Sequence, residues 1–319
     1  MSDDHGHGHA HGVSGDADAR WLTGALAVIV VFMAGEVLVG VLAHSLALIS
    51  DAMHMLTDAA SIALALVAMR LAAQPPHGGY TYGLRRAEIL SAQANGLTLL
   101  LLSVWLAYEA VRRLLSPPDV TGGLVLATAL VGVAINIAAT WMISKANRTS
   151  LNVEGTFQHI LTDLYAFIAT ALAGLIMVLT GFVRADAIAS LIVVVLMVKA
   201  GVGLVRESGR IFLEAAPAGL APDEIGRSLA ARDHVAEVHD LHVWQITSGM
   251  TAASAHVLVD AGHDCHAVRA DLEHVLAADY DISHTTLQVD HVPDPFLQIG
   301  RATPEQHCDD AHGPTHRHT

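Results

Sequence analysis

The sequence predicts an α-helical membrane protein: six transmembrane helices followed by a small cytoplasmic α+β domain of α-β-β-α-β order. Three observations carry this expectation. The chain of 319 residues is 53% hydrophobic and only 15% charged, against about 25% charged for an ordinary soluble domain. Its apolar residues gather before residue 206 into six runs, each long enough for the roughly 20-residue helix that crosses a bilayer. Beyond about residue 212 the pattern turns to alternating and amphipathic segments separated by ordinary turn signals.

The six spans fall at 20–43, 46–72, 87–114, 122–145, 156–180 and 184–206, each bounded by a legible break. Gln74-Pro75-Pro76 and Gly78-Gly79 end the second, because proline lacks the amide proton a helix needs and glycine loosens the chain. Ser116-Pro117-Pro118-Asp119 separates the third from the fourth, Lys145-Ala146-Asn147-Arg148 follows the fourth, and Thr180-Gly181-Phe182 turns the fifth into the sixth. The first 19 residues are polar, acidic and His-rich, without the basic-then-apolar order of a signal peptide. Six spans place both termini on one side of the membrane. That side would hold Arg20, Arg70, Arg85, Arg86, Lys145, Arg148, Arg206 and Arg210, and the other Arg112, Arg113 and Arg184. The excess marks the termini as cytoplasmic, with Arg112 and Arg113 running against the trend. A bacterial plasma (inner cell) membrane is the location this compact build suggests.

In the soluble part, Pro222-Asp223-Glu224 reads as a helix start, residues 235–246 and 252–260 as a hairpin around Thr247-Ser248-Gly249, 264–278 as a helix and 284–291 as a third strand. The domain organisation is therefore a His-rich disordered tail over 1–19, a membrane domain over 20–206, a metal-binding and dimerisation domain over 212–295 and a second His-rich disordered tail over 296–319.

A formal net charge of -14 argues against a nucleic-acid partner, which would need a basic face. Two cysteines, Cys265 and Cys308, are too few for a disulfide scaffold or a Cys-rich zinc module. The 21 histidines point instead to imidazole chemistry.

The residues that carry chemistry are duplicated. His54-Met55-Leu56-Thr57-Asp58 lies inside the second span and His159-Ile160-Leu161-Thr162-Asp163 inside the fifth, both of the form His-x-Leu-Thr-Asp. A His and an Asp four apart share one helix face. An Asp at the centre of a membrane helix costs about 2.5–3.5 kcal/mol on insertion scales, and the sequence bears that cost twice. Facing each other, the pairs offer two imidazoles and two carboxylates, the ligand number and type of a tetrahedral Zn²⁺ site. The other reading of such pairs is interhelical hydrogen bonding that holds the bundle together. Two carboxylates neutralise a divalent cation. Emptied of metal, they would recruit protons, so ligand charge alone suggests proton-for-zinc exchange.

Here the sequence resembles the cation diffusion facilitators, proton-coupled exporters of zinc and related divalent metals. The run from Ser45 to Asp58, Ser-Leu-Ala-Leu-Ile-Ser-Asp-Ala-Met-His-Met-Leu-Thr-Asp, is similar to that family's signature around its second helix, and His159…Asp163 to its fifth-helix partner. The resemblance implies a transport site of His54, Asp58, His159 and Asp163, a homodimer with alternating access, and zinc preference from the His at the first position. Asp51, within the same signature, would support the site or shape its approach. His239 and His256 resemble ligands of a regulatory site in the soluble domain, with Asp290 as a third, and Arg86 and Glu214 stand where relatives place a charge interlock between the domains. The chain departs from some members after the second helix, where Pro76 to Leu84 offers only His77 as a ligand.

The implied function is export of Zn²⁺, and of other divalent cations, from the cytoplasm across the lipid bilayer with H⁺ as counter-ion. Two other classes compete. An intramembrane metalloenzyme would need a general base beyond the four ligands, and the His-Glu-x-x-His motif is absent. A zinc sensor that moves no ion would have no reason to place its site at membrane depth. The runs His5, His7, His9, His11 and His307 to His318 read as loose metal capture or as solvated tails.

Overall fold

The structure, a computed structural model, describes residues 15–42, 46–117, 122–292 and 313–318, and for part of these, including 46–54, the backbone only. It forms two compact units that divide between Ser208 and Gly209.

The first unit is built from six long helices: α1 (Gly15–Leu42), α2 (Leu46–Ala72), α3 (Ala87–Leu115), α4 (Gly122–Ile143), α5 (Leu151–Thr180) and α6 (Ala185–Phe212). Each carries a stretch long and apolar enough to cross a membrane. The helices α2 and α5 lie at the centre: α2 packs on α1, α3 and α5, and α5 on α2, α3 and α4. Leu22 and Ile29 of α1, Met55 and Ile62 of α2, Ile143 of α4 and Phe157 and Ile160 of α5 form one buried cluster. Large apolar side chains such as Leu101, Trp105, Leu179 and Val195 point outward. A water-soluble bundle would bury these; a bilayer covers them without cost, since lipid tails are as apolar as leucine.

Two helices begin earlier than the apolar runs do. The start of α5 is Leu151 rather than 156 because its polar first turns are satisfied: Glu154 receives Arg148 at 2.7 Å and Asn152 Nδ2 donates to the Ala65 carbonyl at 3.0 Å. The first helix starts at Gly15, inside the segment read as a disordered tail, and Asp18 accepts a hydrogen bond from the Asn147 amide at 2.8 Å. The ends of α3 and α6 are joined by Arg113, which meets Glu109 at 3.0 Å and Asp186 at 3.3 Å, so the arginines that oppose the charge bias sit in an ion-pair cluster.

Small residues permit the closest crossing of α3 and α6. A Cβ on Gly96 would lie 2.9 Å from Leu204 Cβ, and one on Gly201 would lie 2.9 Å from the Gly96 carbonyl oxygen. Backbone cannot yield as a side-chain tip can, and membrane helices rely on such close contact. Gly201→Leu is therefore expected to separate α3 from α6, at a cost of about 1–3 kcal/mol or more. The check is melting temperature and elution profile in detergent; values equal to those of the unaltered protein would show that the crossing tolerates the side chain.

The second unit contains α7 (Pro222–Ala230), β1 (Val235–Thr247), β2 (Met250–Val259), α8 (Cys265–Tyr280), β3 (His284–His291) and β4 (His316–Arg317). The sheet runs β3-β2-β1-β4. The β1–β2 hairpin is antiparallel, with Gly249 supplying the positive φ of 73° at its turn, and α8 carries the chain over to a parallel β3. Both helices are started by polar chemistry: α7 by Pro222 with Asp223 and Glu224 in its first turn, α8 by Asp264, whose carboxylate accepts from the amide of His266 at 2.9 Å. Ile225, Leu229, Val238, Leu272, Leu276 and Leu287 close the core between helices and sheet. Arg232 grips Asp271 of α8 through two hydrogen bonds, 2.8 and 2.9 Å, which hold the Asp271 carboxyl below its ordinary range.

The α-β-β-α-β order is as expected, with one addition. The segment 296–319, read as disordered, ends in β4, which pairs Arg317 with Glu237 and His316 with Val238 of β1. The His316 ring rests on Gly226 of α7, where any Cβ would overlap it. Two residues flanked by Gly313, Pro314 and His318 carry no alternation from which a strand could be read.

Candidate metal site

Continuous helix through both duplicated motifs positions their side chains. On α5, His159 and Asp163 lie one turn apart on the same face, and Asp58 approaches them from α2. His159 Nε2 is 3.3 Å from Asp58 Oδ1 and 3.8 Å from Asp163 Oδ2. One ligand atom from each of the three lies within 4.8 Å of the others, and this is the one such group among the described residues. Bonds of about 2.0 Å to a tetrahedral ion separate ligands by about 3.3 Å, so the spacing suits a small cation.

The group is dry. His159 is 1% exposed and Asp58 5%. His159 Nδ1 and Asp163 Oδ2 are buried without a hydrogen-bond partner, a condition that native interiors rarely leave uncompensated. The ion-pair partner that the described residues offer to either acid is His159, and no lysine or arginine is paired with them. As interhelical glue the arrangement would be poor: membrane hydrogen bonds average about 0.6 kcal/mol, whereas each buried acid costs several times that. A divalent cation would neutralise both carboxylates and supply the partners they lack.

His54 lies on α2 one turn before Asp58, and Asp51 three residues earlier still; their side chains fall outside the described residues. In the second unit, His239 and His256 face each other across the β1–β2 register with rings 5.4 Å apart, and His239 Nδ1 is 3.1 Å from Glu237 Oε1. The structure does not bring Asp290 to them. Asp290 is exposed on β3 and accepts from Gln288 Nε2 at 3.0 Å. The acid nearer His256 is Asp240, 2.9 Å from His242 Nε2 and 3.8 Å from His256 Nε2. A bulge explains the exchange: the register slips between His239 and His242, and Asp240 takes a φ of 53°, which turns its side chain out of the strand's alternation. Arg86 immediately precedes α3, and Glu214 follows α6 with a φ of 56°. His77 Nδ1 is turned to the Pro75 carbonyl at 3.1 Å.

Sequence reasoning passed over a buried polar layer beside the site, made of Ser61, Asn95, Thr156 and Asn152. The signal was present in the spacing: Ser61 is three residues after Asp58 and Thr156 three before His159, so both share the ligand face of their helices.

Six membrane-crossing helices that bring two acids and an imidazole together, with no lysine or arginine paired to the acids among the described residues, define a membrane protein that handles metal cations. Residues 22–213 match the family model for the cation efflux transmembrane domain, and residues 217–292 that for the cation efflux protein cytoplasmic domain. The chain is 34% identical over 295 residues to the zinc transporter ZitB of Escherichia coli (strain K12), covering 92% of this chain and 94% of that one. It is 36% identical over 290 residues to the metal cation efflux system protein CzcD of Cupriavidus metallidurans, covering 90% and 91%. It is 33% identical over 288 residues to the cadmium, cobalt and zinc/H(+)-K(+) antiporter of Bacillus velezensis, covering 89% and 92%. The chain belongs to the cation efflux family, the cation diffusion facilitators that its signature resembles. It is a multi-pass membrane transporter that exports metal cations, and not an enzyme.

Proposed function

We propose that the protein exports Zn²⁺ from the cytoplasm by proton antiport, through a tetrahedral site of His54, Asp58, His159 and Asp163 between α2 and α5. The observation that carries this reading is the convergence of Asp58, His159 and Asp163 in a largely buried place where, among the described residues, no lysine or arginine pairs with the acids. Two carboxylates and neutral imidazoles make the zinc-filled site net neutral, the state that a low-dielectric surrounding favours. Imidazole suits zinc over harder cations, which prefer all-oxygen sites. After release of the metal, protons relieve the repulsion between the two acids and return the site to neutrality. The names of relatives that carry zinc, and of one that exchanges metals against protons and potassium, agree with this exchange.

The working form is a homodimer in the plasma membrane with both termini cytoplasmic, as the lysine and arginine bias supports. His239 and His256, with Asp240 rather than Asp290 as the nearby acid, are the residues of the soluble domain proposed to sense the metal. The reading is tested by reconstituting the protein into vesicles loaded with a zinc-responsive dye. Zinc should enter the lumen only with protein present, faster when the proton gradient runs the opposite way. A protein that binds zinc yet gives no luminal signal under any gradient would be a sensor.

A further inference from the structure

We propose that Asn95 of α3 is a positioning residue for the transport site: it ties α2 to α5 one turn from the ligands and so sets the spacing at which Asp58 meets His159. The inference rests on the transport reading above. Asn95 is 3% exposed and belongs to neither His-x-Leu-Thr-Asp motif. Ser61 Oγ donates to its Oδ1 at 2.9 Å, and its Nδ2 donates to Thr156 Oγ1 at 3.5 Å. The Thr156 hydroxyl in turn donates to the Asn152 carbonyl at 3.1 Å, so the bonds run in one direction from α2 through α3 into α5.

The position of this crossbar gives it leverage. Ser61 follows Asp58 by three residues and Thr156 precedes His159 by three, about 4.5 Å along each helix axis. A further turn on, Asn152 Nδ2 reaches the Ala65 carbonyl directly. The ligand helices are thus joined at three successive heights, and the middle link alone passes through a third helix. Ser61, Asn95, Thr156 and Asn152 are each no more than 6% exposed, so water cannot replace the bonds they make. Asp58 and Asp163 repel when no cation lies between them, and a link that resists separation of α2 from α5 preserves the site for the next ion.

Single interhelical hydrogen bonds add little to the stability of a membrane bundle, whereas groups that orient metal ligands change affinity or activity by about ten- to a hundredfold. The experiment is zinc transport by the full-length protein in proteoliposomes, with KM and kcat determined separately. Asn95→Leu, of similar volume, should raise the KM for zinc about ten- to a hundredfold, with a smaller change in kcat and an unaltered melting temperature. Asn136→Leu is the control: Asn136 is equally buried, but its amide bonds only to the Gly132 carbonyl of its own helix, at 3.1 Å. Its KM should not move. A KM for Asn95→Leu within about twofold of the control overturns the inference. Should Asn95→Leu fail to fold, Ser61→Ala and Thr156→Val each cut one arm of the crossbar, and an unchanged KM in both overturns it equally. Absence of zinc flux in the unaltered protein would instead overturn the transport reading.

Discussion

Asp163→Ala abolishes zinc transport while the protein still folds. The acid contributes one of two negative charges that balance the cation, and its Oδ2 is buried with no other group to satisfy it. Without it the filled site would carry a net positive charge in a largely buried place, a state whose desolvation costs several kcal/mol. A loss of that size lowers affinity by more than a thousandfold, since each 1.4 kcal/mol is a factor of ten. Folding should not suffer, because removal of Asp163 relieves its repulsion with Asp58, and single interhelical hydrogen bonds add little to a membrane bundle. The isosteric Asp163→Asn should be as inactive as the alanine variant, since shape is kept and charge is not. Vesicle flux and melting temperature measured side by side check this; full flux in either variant would refute the site.

Acidifying the solution on the zinc-binding side should weaken binding steeply. Zinc takes neutral imidazole and ionised carboxylate, so every proton that His159, Asp58 or Asp163 accepts must leave before the metal can bind. The sign follows directly: lower pH, lower affinity. For each proton displaced, apparent affinity should fall about tenfold per pH unit below the pKa of the group concerned. Zinc titrations of the transport site between pH 8 and pH 6, with Asp163→Ala as the blank for binding elsewhere, measure the slope. An affinity that stays constant over that range would argue against protons as the counter-ion.

Much of this architecture can be read from residues. The six spans follow from apolar length, and α2 was placed without error because Pro75 and Pro76 end it sharply. The starts of α1 and α5 were missed because their first turns hold Asp18, Asn152 and Glu154, polar groups that resemble loop until their distant partners, Asn147, Ala65 and Arg148, are known. The approach of Asp58 to His159 and Asp163 was legible because a helix fixes the relation of residues four apart. The role of Asn95 was not, since a lone asparagine in an apolar helix acquires meaning only when α2 and α5 bring Ser61 and Thr156 to it. In the soluble domain the family resemblance suggested Asp290 beside His239 and His256, whereas a bulge re-aims Asp240 toward His242 and His256, and nothing in the local composition marks where the register slips. The strand at His316 escaped for a similar reason, being two residues long and dependent wholly on β1 for its pairing.

The most direct measurement is the location of zinc by anomalous scattering in crystals of the full-length protein grown with the metal. The expected result is a peak about 2.0–2.2 Å from a carboxylate oxygen of Asp58, a ring nitrogen of His159 and a carboxylate oxygen of Asp163, with His54 completing the tetrahedron. A protein that transports zinc yet shows the metal only in its soluble domain, with those side chains turned to separate neighbours, would contradict it.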